Sequence, residues 1–311
     1  MAQTSLLQQL RQENDPAAAR NIALELLDTT KRREMIDAAL RVLEQSALDD
    51  DARPVLRNKT FYYFDQNQHD TGALLREKLM RMLMDIAHPD DRDIYLRGLE
   101  TYEVQPLMGE VTQNLRAIAL IALAVNDPDL AHVYAVKLLS ELESTSKFNS
   151  EPAVTAINLL HQHGKTLPIY EFLLLGGTES LEIGHHEVVG KALESLGGGF
   201  PTPLYRTLID LFAERDRAVV NMGIVTHIVE NRVRELYPTL DEIITQTRHD
   251  ELHNYGVVML AVSRDDELID RLYALAKLSP ERRLANFIEA IELVPGDEKN
   301  ELLESLRGRM G

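Results

Sequence analysis

Apolar positions along this chain recur with the period of an α-helix. Leu75, Leu79, Met82 and Ile86 fall on one face of a predicted helix, at the spacing i, i+4, i+7 and i+11. The segment 114–125 is apolar on nearly every side, which is typical of a helix that is buried on both flanks. Alternation with a period of two residues is scarce throughout the chain. The pattern therefore predicts an all-α protein without a sheet.

A proline stands at or near the start of seven of the helical stretches, and these prolines recur in steps of 35 to 40 residues. They are Pro16, Pro54, Pro89, Pro128, Pro168, Pro203 and Pro238. Each step holds a second helical stretch before the next proline, which indicates a helix-pair repeat. Pro280 falls out of phase with the others, and we place it at the start of a second helix.

The repeat shortens after Pro238. The next first helix opens at Asp265-Asp266, and the last helix opens at Pro295-Gly296. A short helix near residues 4–12 is predicted to cap the N-terminal end of the stack. The predicted organisation is a single elongated helical-repeat domain over 1–311, with longer-period repeats over 16–237 and shorter repeats and a C-terminal cap over 238–311.

Two predicted second helices open with a similar motif 40 residues apart, at Leu75-Arg76 and at Leu115-Arg116-Ala117. With units of about 40 residues, the chain resembles the HEAT-repeat branch of the ARM-type α-α superhelices. The segment 187–197 resembles the short HEAT subtype found in phycobilisome lyase-like proteins. This resemblance implies a right-handed α-α superhelix, a HEAT/ARM-like solenoid, of about eight helix pairs plus terminal caps. Proteins of this class mostly bind other proteins along a concave surface lined by the second helices.

Composition and charge narrow the classes of function. The chain has 33 basic and 50 acidic residues and a net charge of −17, so it repels the phosphate groups that supply most nonspecific nucleic-acid affinity. It has no cysteine, which excludes disulfides, thiolate zinc sites and thiol catalysis. No apolar run reaches the roughly 18 residues that span a bilayer. Residues 1–5 lack the features of a signal peptide. We therefore expect a cytoplasmic protein that binds no membrane.

Histidines are the candidate functional residues. Those of successive units could converge on the concave surface, where imidazoles bind metals or act as acid–base groups. The alternative interpretation is that they are ordinary surface or capping residues. The candidate binding residues of the concave face are His161, His185, His186, Glu187, His227 and His253. No catalytic residue, no metal ligand and no cofactor is predicted.

Two histidine motifs match known metal sites only in part. His249 and His253 have the i, i+4 spacing of the H-E-x-x-H zinc site, but Glu251 stands third, where it cannot hold the hydrolytic water. His186-Glu187 resembles the His-Glu dipeptides of the deoxyhypusine hydroxylases, which are HEAT-repeat proteins that hold two irons. That family uses four such dipeptides and this chain has one, so the activity does not carry over.

The first hypothesis of function is a noncatalytic scaffold or adaptor that binds another protein or peptide along its concave second-helix surface. Acidic residues would steer the encounter with a basic partner. The alternative is a HEAT-based metal-dependent enzyme or ligand binder that uses the histidines of the second helices. A weaker alternative is a DNA-repair-type nucleic-acid binder. Its basic channel would use the clusters Lys31-Arg32-Arg33, Arg76-Lys78-Arg81 and Arg282-Arg283.

Overall fold

A computed structural model describes residues 2–106, 108–212, 217–297 and 299–310. Within these ranges the chain forms nineteen α-helices and one two-stranded hairpin, so the all-α prediction is confirmed. The helices are α1 (Ala2–Gln12), α2 (Pro16–Thr29), α3 (Arg33–Leu43), α4 (Arg53–Asp65), α5 (Leu74–Ile86), α6 (Arg92–Leu99), α7 (Gln113–Asn126), α8 (Pro128–Ser140), α9 (Ala153–Gln162), α10 (Thr166–Leu175), α11 (Gly177–Glu182), α12 (His186–Glu194), α13 (Thr202–Phe212), α14 (Ala218–Glu230), α15 (Tyr237–Gln246), α16 (Asp250–Val262), α17 (Asp266–Leu278), α18 (Leu284–Leu293) and α19 (Asn300–Gly308). The strands are β1 (Val104–Gln105) and β2 (Gly109–Glu110).

The chain divides into two compact units, unit 1 over Met1–Ala156 and unit 2 over Ile157–Gly311. In unit 1, α2 packs on α3, α4 on α5 and α6 on α7, and α2, α4 and α6 also contact one another in succession. In unit 2, α13 packs on α14, α15 on α16 and α17 on α18. The second helices of unit 2 pack consecutively, α12 on α14, α14 on α16 and α16 on α18, and we call these four helices the second row of unit 2.

The prolines mark helix starts as predicted. Pro16, Pro54, Pro128 and Pro238 occupy the first two positions of α2, α4, α8 and α15. This position suits proline because the N–H that it lacks has no partner in the first turn of a helix. Pro280 lies just before α18, the second helix of its pair, which confirms its predicted place outside the phase of the others.

The prediction that the chain has no sheet is wrong between α6 and α7. Strands β1 and β2 pair antiparallel there, with Val104 opposite Glu110 and Gln105 opposite Gly109. Each strand has two residues, and a run this short shows no alternation in the sequence.

Both ends of this hairpin are held by buried arginines. Arg76 and Arg116 are among the largest fully buried side chains in the described residues. Arg76 pairs with Glu103 at 2.5 Å, just before β1, and Arg116 pairs with Glu110 at 2.8 Å, in β2. A buried guanidinium needs such partners because desolvation of an unpaired charge is costly. The arginines of the two Leu-Arg motifs therefore tie the starts of α5 and α7 to the hairpin.

Helices α12 and α14 pack with their backbones in contact. A Cβ atom added to Gly223 would overlap the carbonyl oxygen of Gly190, and one added to Gly190 would lie 2.6 Å from the carbonyl oxygen of Val219. Only glycine leaves room for this approach. The two glycines therefore set the crossing at the start of the second row of unit 2.

Candidate functional site

The six residues predicted to bind a ligand lie on α9, α12, α14 and α16 or at their ends. His185, His227 and His253 are buried, at 2%, 1% and 1% exposure. His161 and Glu187 are exposed, and His186 is half-buried. Among the described residues no group of three or more His, Asp or Glu side chains has the geometry to hold a metal ion.

Two of these histidines bond to the carbonyl groups at the C-terminal end of α12. The Nδ1 of His161 donates to the carbonyl oxygen of Ser195 at 2.7 Å, and the ring of His227 is hydrogen-bonded to the backbone of Glu194. The last carbonyl groups of a helix have no intrahelical partner. The two rings therefore cap α12 from other helices. His227 also stacks on Tyr205, with ring centroids 3.8 Å apart.

Burial keeps two of the rings neutral. It lowers the pKa of His227 to about 4, against which the backbone hydrogen bond acts only in part. It also lowers the pKa of His253. The Nδ1 of His253 donates to the carbonyl oxygen of Ile244 at 2.9 Å, and its Nε2 faces no hydrogen-bond partner in the part of the chain that the structure describes. Both rings contribute to helix packing as neutral donors.

The two motifs that resemble metal sites are placed differently from those sites. His249 is the residue before α16, so it does not share a helix face with the buried His253. The Nε2 of His186 accepts a hydrogen bond of 2.9 Å from Arg217, which also donates to the carbonyl oxygen of Leu181. The lone pair of that nitrogen is therefore already occupied by a guanidinium group.

The basic clusters considered for nucleic acid are partly buried. Arg76 is fully buried and Arg283 is 7% exposed. Arg283 donates to the carbonyl oxygens of Ile244 and Thr245 at 3.2 and 2.8 Å. A buried guanidinium that is bonded to protein carbonyl groups is not available to phosphates, so these two arginines do not line a basic channel.

The structure presents a different surface, on the outward side of α14, α16 and α18. Val219 and Val262 are 41% and 51% exposed there. Tyr255 and Val258, one turn apart on α16, are half-buried beside them. The hydroxyl of Tyr255 lies 2.6 Å from the hydroxyl of Thr226, which is buried on α14, and this hydrogen bond links α16 to α14.

The three helices that form this surface carry carboxylates and no cations within their described bounds. Helices α14, α16 and α18 contain no lysine and no arginine. Glu230, Glu251 and Glu289 are exposed on them, and none has an ion pair within the described ranges. We call this surface the acidic–apolar face. It consists of Val219, Met222, Glu230, Glu251, Tyr255, Val258, Val262 and Glu289.

The histidine pattern did not point to the acidic–apolar face, although a signal for it is present in the sequence. Positions 251, 255, 258 and 262 follow the spacing of one helix face, and an apolar or aromatic residue stands at the last three. The combination of such a stripe with three successive second helices that lack Lys and Arg is the feature that identifies the surface.

Among the helices that the structure describes, none is both long enough and apolar enough to cross a bilayer.

The candidate functional site is the acidic–apolar face, which is defined by the exposure and the charge of its residues. No protein-family model, no curated protein and no solved structure matches the chain.

Proposed function

We propose that the chain is a noncatalytic scaffold or adaptor that binds another protein through the second helices of its repeats. The observation that supports this most is the acidic–apolar face. It combines exposed valines and a half-buried tyrosine with exposed glutamates. Protein interfaces have an apolar centre rich in aromatic residues and a polar rim.

We infer further that the helices form a HEAT-type superhelix. Helix pairs that contact their neighbours first helix to first helix and second to second support this, as do the buried arginines of the two HEAT-like motifs. The proposed superhelix has eight pairs, from α2 and α3 to α17 and α18, with α1 and α19 as caps and α11 as an additional helix. Stacked pairs bury a continuous core, and their second helices line one side of it.

Site-specific photocrosslinking in cells of the source organism tests the proposed function. A photoreactive phenylalanine replaces Val262 at the end of α16, and the matched control carries it at Asp270, an exposed position on α17. We expect discrete protein adducts from position 262 and none from position 270. Absence of adducts at position 262, or the same adducts at both positions, would contradict the proposal.

A further inference from the structure

We propose that the acidic–apolar face binds a basic amphipathic helix of the partner protein. This proposal rests on the scaffold function proposed above and specifies the class of ligand. The face belongs to unit 2 alone. It lies on three neighbouring helices that pack consecutively, α14 on α16 and α16 on α18.

The apolar positions of the face lie on two neighbouring helices. On α14 the accessible apolar positions are Val219 and Met222, and on α16 they are Tyr255, Val258 and Val262. The hydrogen bond between Thr226 and Tyr255 holds the two stripes side by side. Amphipathic helices bind to apolar surfaces through residues at i, i+3, i+4 and i+7.

The charge of the face determines which helix it accepts. Glu230 lies at the C-terminal end of α14, where the helix dipole adds negative potential. Glu251 lies in the first turn of α16 and Glu289 in the middle of α18. A ligand with lysine or arginine beside its apolar stripe would pair with these carboxylates, whereas an acidic ligand would be repelled.

Of the two arginines at the ends of α14, only Arg232 is paired with a carboxylate among the described residues. Arg217 is bonded to His186 and to the backbone of Leu181, and Arg232 pairs with Asp265 at 3.3 Å. These partners of Arg217 carry no negative charge, but Arg217 lies before the first turn of α14, at the end opposite Glu230. The glutamates of the acidic–apolar face therefore keep their capacity to bind a cationic ligand.

The corresponding helices of unit 1 lack this combination. Helix α5 carries Arg76, Lys78 and Arg81, and α3 carries Arg33 and Arg41. Mixed charges on these helices offer no uniform preference for a cationic ligand. The proposal therefore concerns α14, α16 and α18 only.

Binding of designed peptides to the full chain tests this inference. The probe is an amphipathic helix of Leu and Lys of about 18 residues, or five turns, with a fluorophore. One control peptide has Glu in place of every Lys, and another has the same composition in scrambled order. We expect saturable binding of the Leu/Lys helix alone, measured by fluorescence anisotropy, and weaker binding as salt is added.

Variants of the chain locate the binding. Glu289→Lys is expected to weaken the affinity about fivefold, since an exposed ion pair contributes up to about 1 kcal/mol. Asp270→Lys makes the same change of charge on α17, outside the face, and should leave the affinity within about twofold. Val258→Asp, which places a charge in the apolar stripe, should abolish binding, with an unchanged circular dichroism spectrum as the check on folding.

Three results would overturn the inference. They are equal binding of the acidic or scrambled peptide, equal weakening by Glu289→Lys and Asp270→Lys, and no binding of the Leu/Lys helix at low salt. If position 262 still yields crosslinked protein in any of these cases, the scaffold function stands and only the class of ligand is wrong. Failure of both experiments would remove both proposals.

Discussion

The guanidinium group of Arg116 illustrates how single charged residues stabilise this fold. It is fully buried, pairs with Glu110, and donates to the carbonyl oxygens of Thr101 and Ser144 at 3.0 and 2.7 Å. Thr101 and Glu110 lie in the connection between α6 and α7, and Ser144 lies after α8. One side chain thus fixes the start of α7 relative to two loops of unit 1.

Replacing Arg116 by methionine should therefore be strongly destabilising. The substitution removes the guanidinium partner of Glu110, whose side chain is 11% exposed, and of the carbonyl groups of Thr101 and Ser144. Breaking a buried ion pair in this way costs about 3 kcal/mol or more. Arg92→Met is the matched control, because Arg92 is half exposed and pairs with Asp127 at the surface. It should cost less than about 1 kcal/mol in urea denaturation. Equal losses for the two variants would contradict the role given to Arg116.

The ring of His227 makes the stability depend on pH. Its pKa in the folded chain is about 4, below the ordinary value of 6.5. The contribution of the neutral His227 ring to the free energy of unfolding is therefore complete above pH 6.5. It is lost as the pH falls toward 4, because the unfolded chain binds the proton more tightly. Between about pH 7.5 and about pH 5 the loss amounts to about 2 kcal/mol.

His227→Gln keeps a hydrogen-bond donor at this position and removes the titration. The variant should lose about 2 kcal/mol less than the wild type over the same range of pH. Denaturant unfolding at the two ends of the range measures the difference. The same dependence on pH in both proteins would show that His227 does not titrate as described.

The sequence pattern predicts that these histidines lie on or beside second helices, but it does not give their hydrogen-bond partners. The carbonyl that His161 binds belongs to Ser195, 34 residues away. Periodicity defines which face of a helix is apolar, but not which distant backbone group meets a polar residue on that face. The burial of Arg76 and Arg116 is not predictable from the sequence either. Arginine is rarely found inside a protein without partners, and the sequence does not show which partners an arginine will meet.

At the scale of elements, the contact between α12 and α14 is the most constrained. Gly190 and Gly223 allow the two backbones to touch, and the first helix of the acidic–apolar face is positioned by this contact. Two side chains of ordinary size would hold the helices about 8–10 Å apart between axes. The position of α14 in the second row therefore depends on two residues that have no side chain.

Gly223→Ala should weaken the folded state by about 3 kcal/mol, because overpacking of a tight contact forces the backbones apart. Gly308→Ala is the control, since Gly308 is also helical and a Cβ there meets no atom within 4 Å. Alanine favours the helix, so this control should be neutral or more stable by up to about 1 kcal/mol. Thermal denaturation of both variants compares them, and a neutral Gly223→Ala would refute the close crossing.

Most elements of this chain are predictable from local signals, and the exceptions have physical causes. The cap-and-proline pair Asp127-Pro128 marks the start of α8, where Asp127 accepts a hydrogen bond from the N–H of Leu130. The hairpin gives no such signal, since its strands are too short. Its position depends on Glu103 and Glu110, which find their arginines only in the folded chain.

Across the whole molecule, some carboxylates are paired with cations and others are not. The net charge is −17, yet many carboxylates are paired, such as Asp91 with Arg53 and Arg57 in unit 1. The acidic–apolar face differs because its three helices have no cation of their own. The proposed binding surface is therefore distinguished by where its unpaired carboxylates lie, more than by the total charge of the chain.

Hydrogen–deuterium exchange of the full chain, with and without the Leu/Lys helix, tests this account most directly. A bound ligand slows exchange where it stabilises the backbone against local opening. We predict slower exchange in α14, α16 and α18 and unchanged exchange in α15, α17 and unit 1. Slower exchange confined to α15 and α17 or to unit 1, or no change anywhere at saturating peptide, would contradict the claim that the acidic–apolar face is the binding surface.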